Sequence, residues 1–202
     1  MIRVLLAEDQ DLVRGAMAAL LSLEPDIEVV AEVGRGDEVV DAAMASRPDV
    51  ALLDIEMPGE DGIAAARRLR RALPGCRVLM VTTFGRPGYM RRAMAGGASG
   101  FMLKDAPAKE LAVAIRRTAA GERVLDPQLA AQALSEGDSP LSQREAEVLV
   151  SAADGASIAE VASRLFLSEG TVRNHLSSAI QKLEARNRME AVRIAEEKGW
   201  LI

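Results

Sequence analysis

The stretch VALLDIEMPGEDG, residues 50–62, decides the fold class of this chain of 202 residues. Its four apolar residues, Val50–Leu53, end directly at Asp54, and Pro58 and Gly62 mark a turn before a segment with helical spacing. A short apolar run of this kind is typical of a strand that is buried on both faces of a parallel sheet. Similar runs occur elsewhere in the first 120 residues, at Ile2–Ala7, Ile27–Val33, Val78–Val81 and Phe101–Leu103.

Segments with helical spacing lie between these apolar runs, and proline residues mark several of the joins. The five segments are Leu12–Leu21, Asp37–Ser46, Gly62–Leu73, Tyr89–Ala95 and Lys109–Ala119. Strands that alternate with helices in this way are typical of an α/β domain whose strands run parallel. Residues 1–120 are therefore predicted to form a doubly wound α/β domain with a five-stranded parallel sheet.

The pattern changes after Val124, where the strand-like runs stop. Residues 121–140 contain a short apolar segment and the sequence SEGDSP, which predicts a linker with a short helix. Residues 141–202 show only helical spacing, with predicted helices at 142–153, 157–164, 169–184 and 188–198. Ser142, followed three residues later by Glu145, is a capping-box pattern that marks the first helix start. A second, all-α domain is therefore predicted.

The composition excludes several classes of protein and site. One cysteine and one histidine exclude an intramolecular disulfide and a histidine-rich metal site, and 2% aromatic residues argue against a stacking platform for single-stranded nucleic acid. No apolar run approaches the roughly 18 residues that a membrane-spanning helix needs. Glu8 and Asp9 interrupt the first apolar run before a secretory signal is complete. We expect a cytoplasmic protein that does not bind a membrane.

Polar residues end the apolar runs, and in a parallel sheet the carboxyl ends of the strands form the ligand-binding edge. Glu8, Asp9, Asp54, Thr82 and Lys104 are therefore expected to converge. Three neighbouring carboxylates repel at neutral pH unless a cation balances them or one takes up a proton. Carboxylates are ligands of Mg²⁺, and a metal ion, a carboxylate nucleophile, a hydroxyl and a lysine together suit phosphoryl transfer to Asp54.

Each of these residues also has a purely structural interpretation. An acid after a strand is commonly a turn or helix N-cap residue, a threonine at a strand end is commonly structural, and a lysine is commonly a solvated charge. The order and placement of all five residues together favour the functional interpretation.

Four motifs resemble a known family: LLAEDQ at 5–10, LLDIEMPGEDG at 52–62, VTTF at 81–84 and FMLKD at 101–105. Residues 1–120 resemble the receiver domain of bacterial two-component response regulators, which implies that a sensor histidine kinase phosphorylates Asp54. The resemblance also implies a Mg²⁺ site formed by Glu8, Asp9, Asp54 and the main-chain carbonyl of Glu56. It further implies that Thr82 is the switch hydroxyl, Phe101 the switch aromatic and Lys104 the phosphate-binding lysine. The family often has a small or amide residue where Glu56 stands, and we hypothesise that an acid there changes the lifetime of the phosphoryl group.

Residues 141–202 resemble a LuxR-type helix-turn-helix domain, which together with the receiver domain indicates the NarL/FixJ family. This resemblance implies that helix 169–184 enters the major groove of double-stranded DNA. The implied core comprises Val148, Leu149, Ile158, Val161, Leu165, Val172, Leu176 and Ile180. The residues expected to contact DNA are Glu169, Thr171, Arg173, Asn174, Ser177 and Lys182. Arg173 suits guanine and Asn174 suits adenine, whereas Lys182 is expected at a phosphate.

The charge balance bears on DNA binding in two ways. The formal net charge of −5 lacks the basic excess of a strong non-specific nucleic-acid binder. Between Arg164 and Arg188, however, five basic residues stand against two acidic ones, which permits one face to contact DNA. The last predicted helix, 188–198, corresponds to the family's dimerisation helix, so we expect a homodimer on activation.

The leading interpretation is a transcription regulator, not an enzyme, that is phosphorylated on Asp54, dimerises and binds promoter DNA. Two alternatives stay open: a phosphotransferase or phosphatase that works through an aspartyl-phosphate, and a DNA-binding regulator that needs no phosphorylation. Within the family, VTTFGRPGYM and the segment from Thr171 to Leu201 are similar to Des-type regulators of lipid-desaturase pathways.

Overall fold

The computed structural model describes residues 1–83, 87–126, 130–131, 139–198 and 200–201. The chain divides into two units, one of Met1–Gly85 and Arg92–Ala130 and the other of Arg86–Arg91 and Ala131–Ile202. The first is the sheet unit and the second is the helical unit. Half of the predicted linker, residues 127–129 and 132–138, lies outside the described residues, and with it most of the predicted short helix.

Within its described residues, the sheet unit contains a parallel sheet of six strands in the order β2-β1-β3-β4-β5-β6. The strands are β1 Ile2–Ala7, β2 Ile27–Val33, β3 Val50–Leu53, β4 Arg77–Thr82, β5 Gly100–Leu103 and β6 Val124–Leu125. The strand order reverses between β1 and β3. The topological switch point, where ligands bind in open parallel sheets, therefore lies between these two strands.

Helices alternate with the strands along the chain. They are α1 Asp11–Leu21, α2 Val39–Ser46, α3 Gly62–Ala72, α4 Pro87–Ala95 and α5 Ala108–Ala119. Helix α2 begins later than the predicted Asp37 because Gly36–Glu38 first form a 3-10 turn. Helix α3 begins after Asp61, whose carboxylate accepts a hydrogen bond from the amide of Ala64 at 2.8 Å. An aspartate at this position satisfies a backbone donor that the helix itself cannot pair.

Strand β3 lies at the centre of the core. All four of its residues have 0% of their surface exposed, as a strand covered on both faces requires. Apolar residues of β1, β3, β4 and β5 pack together with those of α1 and α5. The predicted positions of these strands and helices are confirmed to within a few residues.

The predicted number of strands, five, is wrong, because β6 adds a sixth strand beside β5. Gly100 pairs with Val124 and Phe101 pairs with Leu125. Two residues are too few to show the alternation or the apolar run by which a strand is recognised in a sequence. Strand β6 therefore lies in the segment that the sequence pattern assigns to the linker.

The helical unit contains α6 Gln143–Ala152, α7 Ile158–Leu165, α8 Glu169–Lys182 and α9 Arg188–Glu197. Their N-cap side chains, Ser142, Ser157, Ser168 and Asn187, all accept a backbone hydrogen bond, and the predicted capping box of α6 is confirmed. The predicted core is also confirmed: Val148, Leu149, Val161, Val172 and Leu176 are buried, and Ile158, Leu165 and Ile180 pack against them. Among the described residues, no helix combines the length and the apolar character that crossing a membrane requires.

Gly62 permits a close approach between the start of α3 and the end of β3. A Cβ atom there would lie 1.7 Å from the carbonyl oxygen of Asp54. We expect Gly62→Ala to destabilise the sheet unit by more than about 2 kcal/mol, because the backbone must move to relieve the overlap.

Gly75→Ala is the matched control, since no atom lies within 4 Å of its Cβ position. It should change the free energy of unfolding by less than about 0.5 kcal/mol. Urea unfolding followed by circular dichroism compares the two variants. Equal stabilities would contradict the prediction.

Candidate functional site

The carboxyl ends of β1 and β3 bring three acids together. The parallel register pairs Ala7 with Leu53, and the amide of Asp54 donates to the carbonyl of Ala7 at 2.9 Å. The residues that follow the two strands must therefore lie side by side at the switch point. Glu8, Asp9 and Asp54, which form the acid cluster, have carboxylate oxygens within 4.8 Å of one another. The predicted convergence of these acids is present.

Lys104 follows β5 and places its ammonium group between two of these acids. Its Nζ lies 2.9 Å from Asp54 Oδ2 and 2.5 Å from Glu8 Oε2. Burial lowers the pKa of Lys104, but its hydrogen bonds to the two carboxylates outweigh burial and leave that pKa raised. Burial raises the pKa of Glu8, although Lys104 opposes this effect. Lys104 is therefore a cation at neutral pH and offsets part of the negative charge.

The donor set of the acid cluster fits a hard divalent cation. Glu8 and Asp54 are 1% and 5% exposed, whereas Asp9 faces solvent. Carboxylate oxygens with access to water suit Mg²⁺, which binds one or two carboxylates and keeps several of its waters. The side chain of Glu56 is exposed in the loop after Asp54. The predicted contribution of its main-chain carbonyl stays a prediction.

Thr82 and Phe101 lie on β4 and β5, the two strands that follow β3 in the sheet order. Thr82 ends β4 and is buried, and its carbonyl accepts a hydrogen bond from the amide of Lys104 at 2.9 Å. Phe101, on β5, is completely buried. The switch roles of both residues stay predictions.

Sequence reasoning missed Arg14, which lies on α1 and holds the loop that carries Glu8. Its Nη1 donates to the main-chain carbonyl of Glu8 at 2.6 Å. The same guanidinium pairs with Asp11 and reaches Glu32 at 4.0 Å. An arginine one turn into a helix is common on exposed faces, so the sequence contains no signal that distinguishes this one.

Helix α8 presents most of the predicted DNA-facing side chains to solvent. Its exposed residues include Glu169, Arg173, Asn174 and Ser177, and Thr171 is half-buried. Val172 and Leu176 are buried on the opposite face, so the predicted division of this helix into an inner and an outer face is confirmed. Arg173 Nη2 forms an ion pair with Glu169 Oε2 at 2.8 Å.

Lys182 makes a contact inside the helical unit that the sequence analysis did not anticipate. Its Nζ lies 2.7 Å from Oε2 of Glu145, and the hydroxyl of Ser178 donates to Oε1 at 2.6 Å. Burial raises the pKa of Glu145, but hydrogen bonds from Lys182, Ser178 and Ser142 outweigh it and hold the pKa at about 2. Lys182 therefore ties the end of α8 to the start of α6, and a DNA phosphate would have to compete with Glu145 for it.

The parallel sheet has an acid cluster and a lysine at its ligand-binding edge, as the sequence analysis expects of a receiver domain. A unit of capped helices follows it in the chain. Residues 4–116 match the sequence model of the response regulator receiver domain, and residues 139–195 match that of the bacterial regulatory proteins of the luxR family. The chain belongs to the response regulators that join these two domains, and it is a regulator of transcription.

The relatives include the transcriptional regulatory protein DesR of Bacillus subtilis (strain 168), to which the chain is 46% identical over 99% of both sequences. Among solved structures, it is similar to the response regulator ChrA of a heme-sensing two-component system. That similarity has 38% identity and a TM-score of 0.59, and covers 100% of this chain and 98% of ChrA. Two RcsB dimers bound to parallel DNAs share the fold, with 23% identity and a TM-score of 0.70 over 97% of this chain and 98% of RcsB.

Glu145→Gln should lower the free energy of unfolding of the helical unit and make it depend less on pH in the acid range. The pKa of Glu145 is about 2 in the folded chain against an ordinary 4.5, so its carboxylate stabilises the fold above pH 4.5. This stabilisation is lost as the pH falls through the folded pKa. We expect the variant to lose about 2 kcal/mol at pH 7 and to show a flatter decline of stability below pH 5.

Fluorescence of Trp200 measures this effect, because the chain has one tryptophan and it packs against the core of the helical unit. Glu147→Gln is the matched control: it removes the same charge from α6 but breaks an exposed pair with Arg144. The control should keep most of the acid response of the wild type, because an ion pair this exposed contributes little to stability. A Glu145→Gln profile parallel to that of the wild type would rule out the predicted effect.

Proposed function

We propose that Asp54 is the phospho-acceptor of this response regulator and that a sensor histidine kinase supplies the phosphoryl group. The observation that supports the proposal is the position of Asp54 at the end of β3, buried, 2.9 Å from the Lys104 ammonium and grouped with Glu8 and Asp9. A carboxylate oxygen of Asp54 forms the new bond to phosphorus as the bond to the kinase's histidine nitrogen breaks.

The other residues at this edge have separate roles in that transfer. Lys104 offsets charge on the phosphoryl oxygens, and the hydroxyl of Thr82 donates a hydrogen bond to one of them. Glu8, Asp9 and Asp54, with the main-chain carbonyl of Glu56, would hold Mg²⁺. When bound, Mg²⁺ supplies positive charge that the acid cluster needs and that phosphoryl transfer requires.

Phosphorylation is proposed to act on DNA binding through β4 and β5, the two strands that follow β3 in the sheet order. It adds roughly −1.5 to −2 charges at neutral pH. The hydrogen bond from the Lys104 amide to the Thr82 carbonyl joins the ends of β5 and β4, so movement of either end reaches the strand that bears Phe101. A local charge event of this kind changes a surface when two arrangements compete.

The activated chain is proposed to form a homodimer and to bind promoter DNA in the cytoplasm. Helix α8 would enter the major groove with Glu169, Thr171, Arg173, Asn174 and Ser177 towards the DNA. Lys182, whose side chain is 39% exposed, would contact a DNA phosphate in competition with Glu145. The proposed receiver domain is the predicted one, residues 1–120, with β6 added. The DNA-binding domain covers residues 141–202.

Asp54→Asn should abolish phosphorylation, because an amide cannot form the acyl phosphate. Wild type and variant are incubated with acetyl phosphate and Mg²⁺, and their intact masses are measured. The wild type should gain one phosphoryl group and the variant none. Asp61→Asn is the control: it alters another acid of the same loop, and asparagine caps a helix as well as aspartate does.

The same samples distinguish the alternative functions. After phosphorylation, the wild type should show a higher oligomer mass and tighter binding to fragments of candidate promoters at a stated salt concentration. If the Asp54→Asn variant gained a phosphoryl group as the wild type does, the assignment of Asp54 as the phospho-acceptor would be overturned. Repeated hydrolysis of a phosphate ester would favour an enzyme, and DNA binding that ignores the phosphodonor would favour a regulator without phosphorylation.

Glu56→Asn should lengthen the lifetime of the phosphoryl group several-fold. Glu56 is exposed two residues after Asp54, where a carboxylate can accept a proton from an attacking water molecule and an amide cannot. Loss of the phosphoryl group from purified phosphoprotein gives the half-life by intact mass. Asp61→Asn again controls for a charge change in the loop, and a half-life equal to that of the wild type would contradict the prediction.

A further inference from the structure

Four basic side chains near the proposed DNA-binding surface are already paired with acids. Within the described part of the helical unit, ion pairs of 2.7 to 2.9 Å join Arg164 to Asp154, Arg173 to Glu169, Lys182 to Glu145 and Arg186 to Glu190. Four of the five basic residues behind the local excess are therefore paired with acids, and the fifth, Arg188, donates to the main-chain carbonyls of Gly155 and Ala156. DNA must replace an internal carboxylate wherever one of the four paired cations contacts it.

We propose that Glu169 and Arg173 read a G·C base pair as one unit, in which each side chain holds the other in position. This inference rests on the proposed entry of α8 into the major groove. Glu169 and Arg173 are four residues apart on one helix, so they share one face, and Arg173 Nη2 lies 2.8 Å from Glu169 Oε2. The face is the exposed one, opposite Val172 and Leu176.

The pair is suited to reading DNA because it can open. The two side chains are 59% and 51% exposed, and ion pairs this exposed contribute little to stability. The pair of Lys182 and Glu145 differs, since Glu145 is only 6% exposed and accepts further hydrogen bonds from Ser178 and Ser142. Of these two pairs, the one on the outer face of α8 is the one that DNA can enter.

The chemistry of the groove decides which DNA groups the pair accepts. A G·C pair presents the O6 and N7 acceptors of guanine, which suit Arg173, and the N4 amino donor of cytosine, which suits Glu169. A phosphate presents acceptors alone, so it attracts Arg173 but repels the carboxylate beside it. Glu169 therefore favours a G·C pair and opposes the contact of Arg173 with the DNA backbone.

Glu169→Ala in the full chain tests this inference, with Glu147→Ala as the matched control. The control removes the same charge from an exposed ion pair, Arg144 with Glu147, on another helix of the same unit. Each protein, treated with acetyl phosphate and Mg²⁺, selects sequences from a random duplex library. Affinities for the selected and a scrambled duplex are then measured at 0.15 M salt (about physiological). Arg173→Ala and the double variant complete the cycle, and Trp200 fluorescence confirms folding.

The wild type is expected to select a motif with a fixed G·C pair that both single variants lose. For Glu169→Ala, the scrambled duplex should bind about fivefold more tightly, the effect of roughly one phosphate contact, and the ratio of specific to non-specific affinity should fall at least about tenfold. The double variant should keep the same base preferences as Arg173→Ala alone, because the two side chains act as one unit. If Glu169 acted only through its negative charge, its removal would change DNA binding in the Arg173→Ala background as well.

Two results would overturn the inference. One is that Glu169→Ala selects the same motif as Glu147→Ala and has a ratio of specific to non-specific affinity within about twofold of it, the scatter of such comparisons. The other is loss of preference at a position different from that lost by Arg173→Ala. A wild type that selects no motif would remove the proposed DNA-binding function, and this inference with it. A wild-type motif that Glu169→Ala leaves intact removes the inference alone.

Discussion

The ammonium group of Lys104 between Asp54 and Glu8 is the interaction on which the sheet unit's chemistry depends. Two nearly buried carboxylates repel each other and lose their hydration, an arrangement that is unfavourable without a cation in contact with both. Lys104 meets this need at 2.9 and 2.5 Å. The contact exists because β1, β3, β4 and β5 lie in parallel order and their carboxyl ends share one edge. The sheet topology therefore also determines how the charge of the two buried acids is balanced.

That topology explains how much of the site the sequence could predict. Apolar runs such as Ile2–Ala7 and Val50–Leu53 end one residue before Glu8 and Asp54, so parallel pairing alone brings these acids together. Strand β6 was not predicted, because its two residues are too few to show a pattern of apolar and polar residues. The contact of Arg14 with the Glu8 carbonyl was also not predicted, because it depends on the turn between β1 and α1 rather than on a pattern of residue types.

The helical unit shows a different limit of sequence reasoning. A count of charges along α7 and α8 measures neighbours in sequence, whereas ion pairs form between neighbours in space. Lys182 is paired with Glu145, 37 residues away on α6, and Arg164 is paired with Asp154, which precedes α7. The helix caps and the core follow from local periods and were predictable, but the partners of the basic side chains depend on how the four helices pack.

The contacts of Lys104 also bear on the proposed phosphorylation. A phosphoryl group on Asp54 would add oxygens that compete with Glu8 for the same ammonium group, whose three donors already serve two carboxylates. The backbone of Lys104 cannot shift alone, because its amide is bonded to the Thr82 carbonyl and β5 pairs with β4 from Gly100 to Leu103. Any shift of this backbone would therefore move the strand on which Phe101 is buried. Lys104, which offsets charge in the unphosphorylated site, would then also pass the effect of added charge to the sheet.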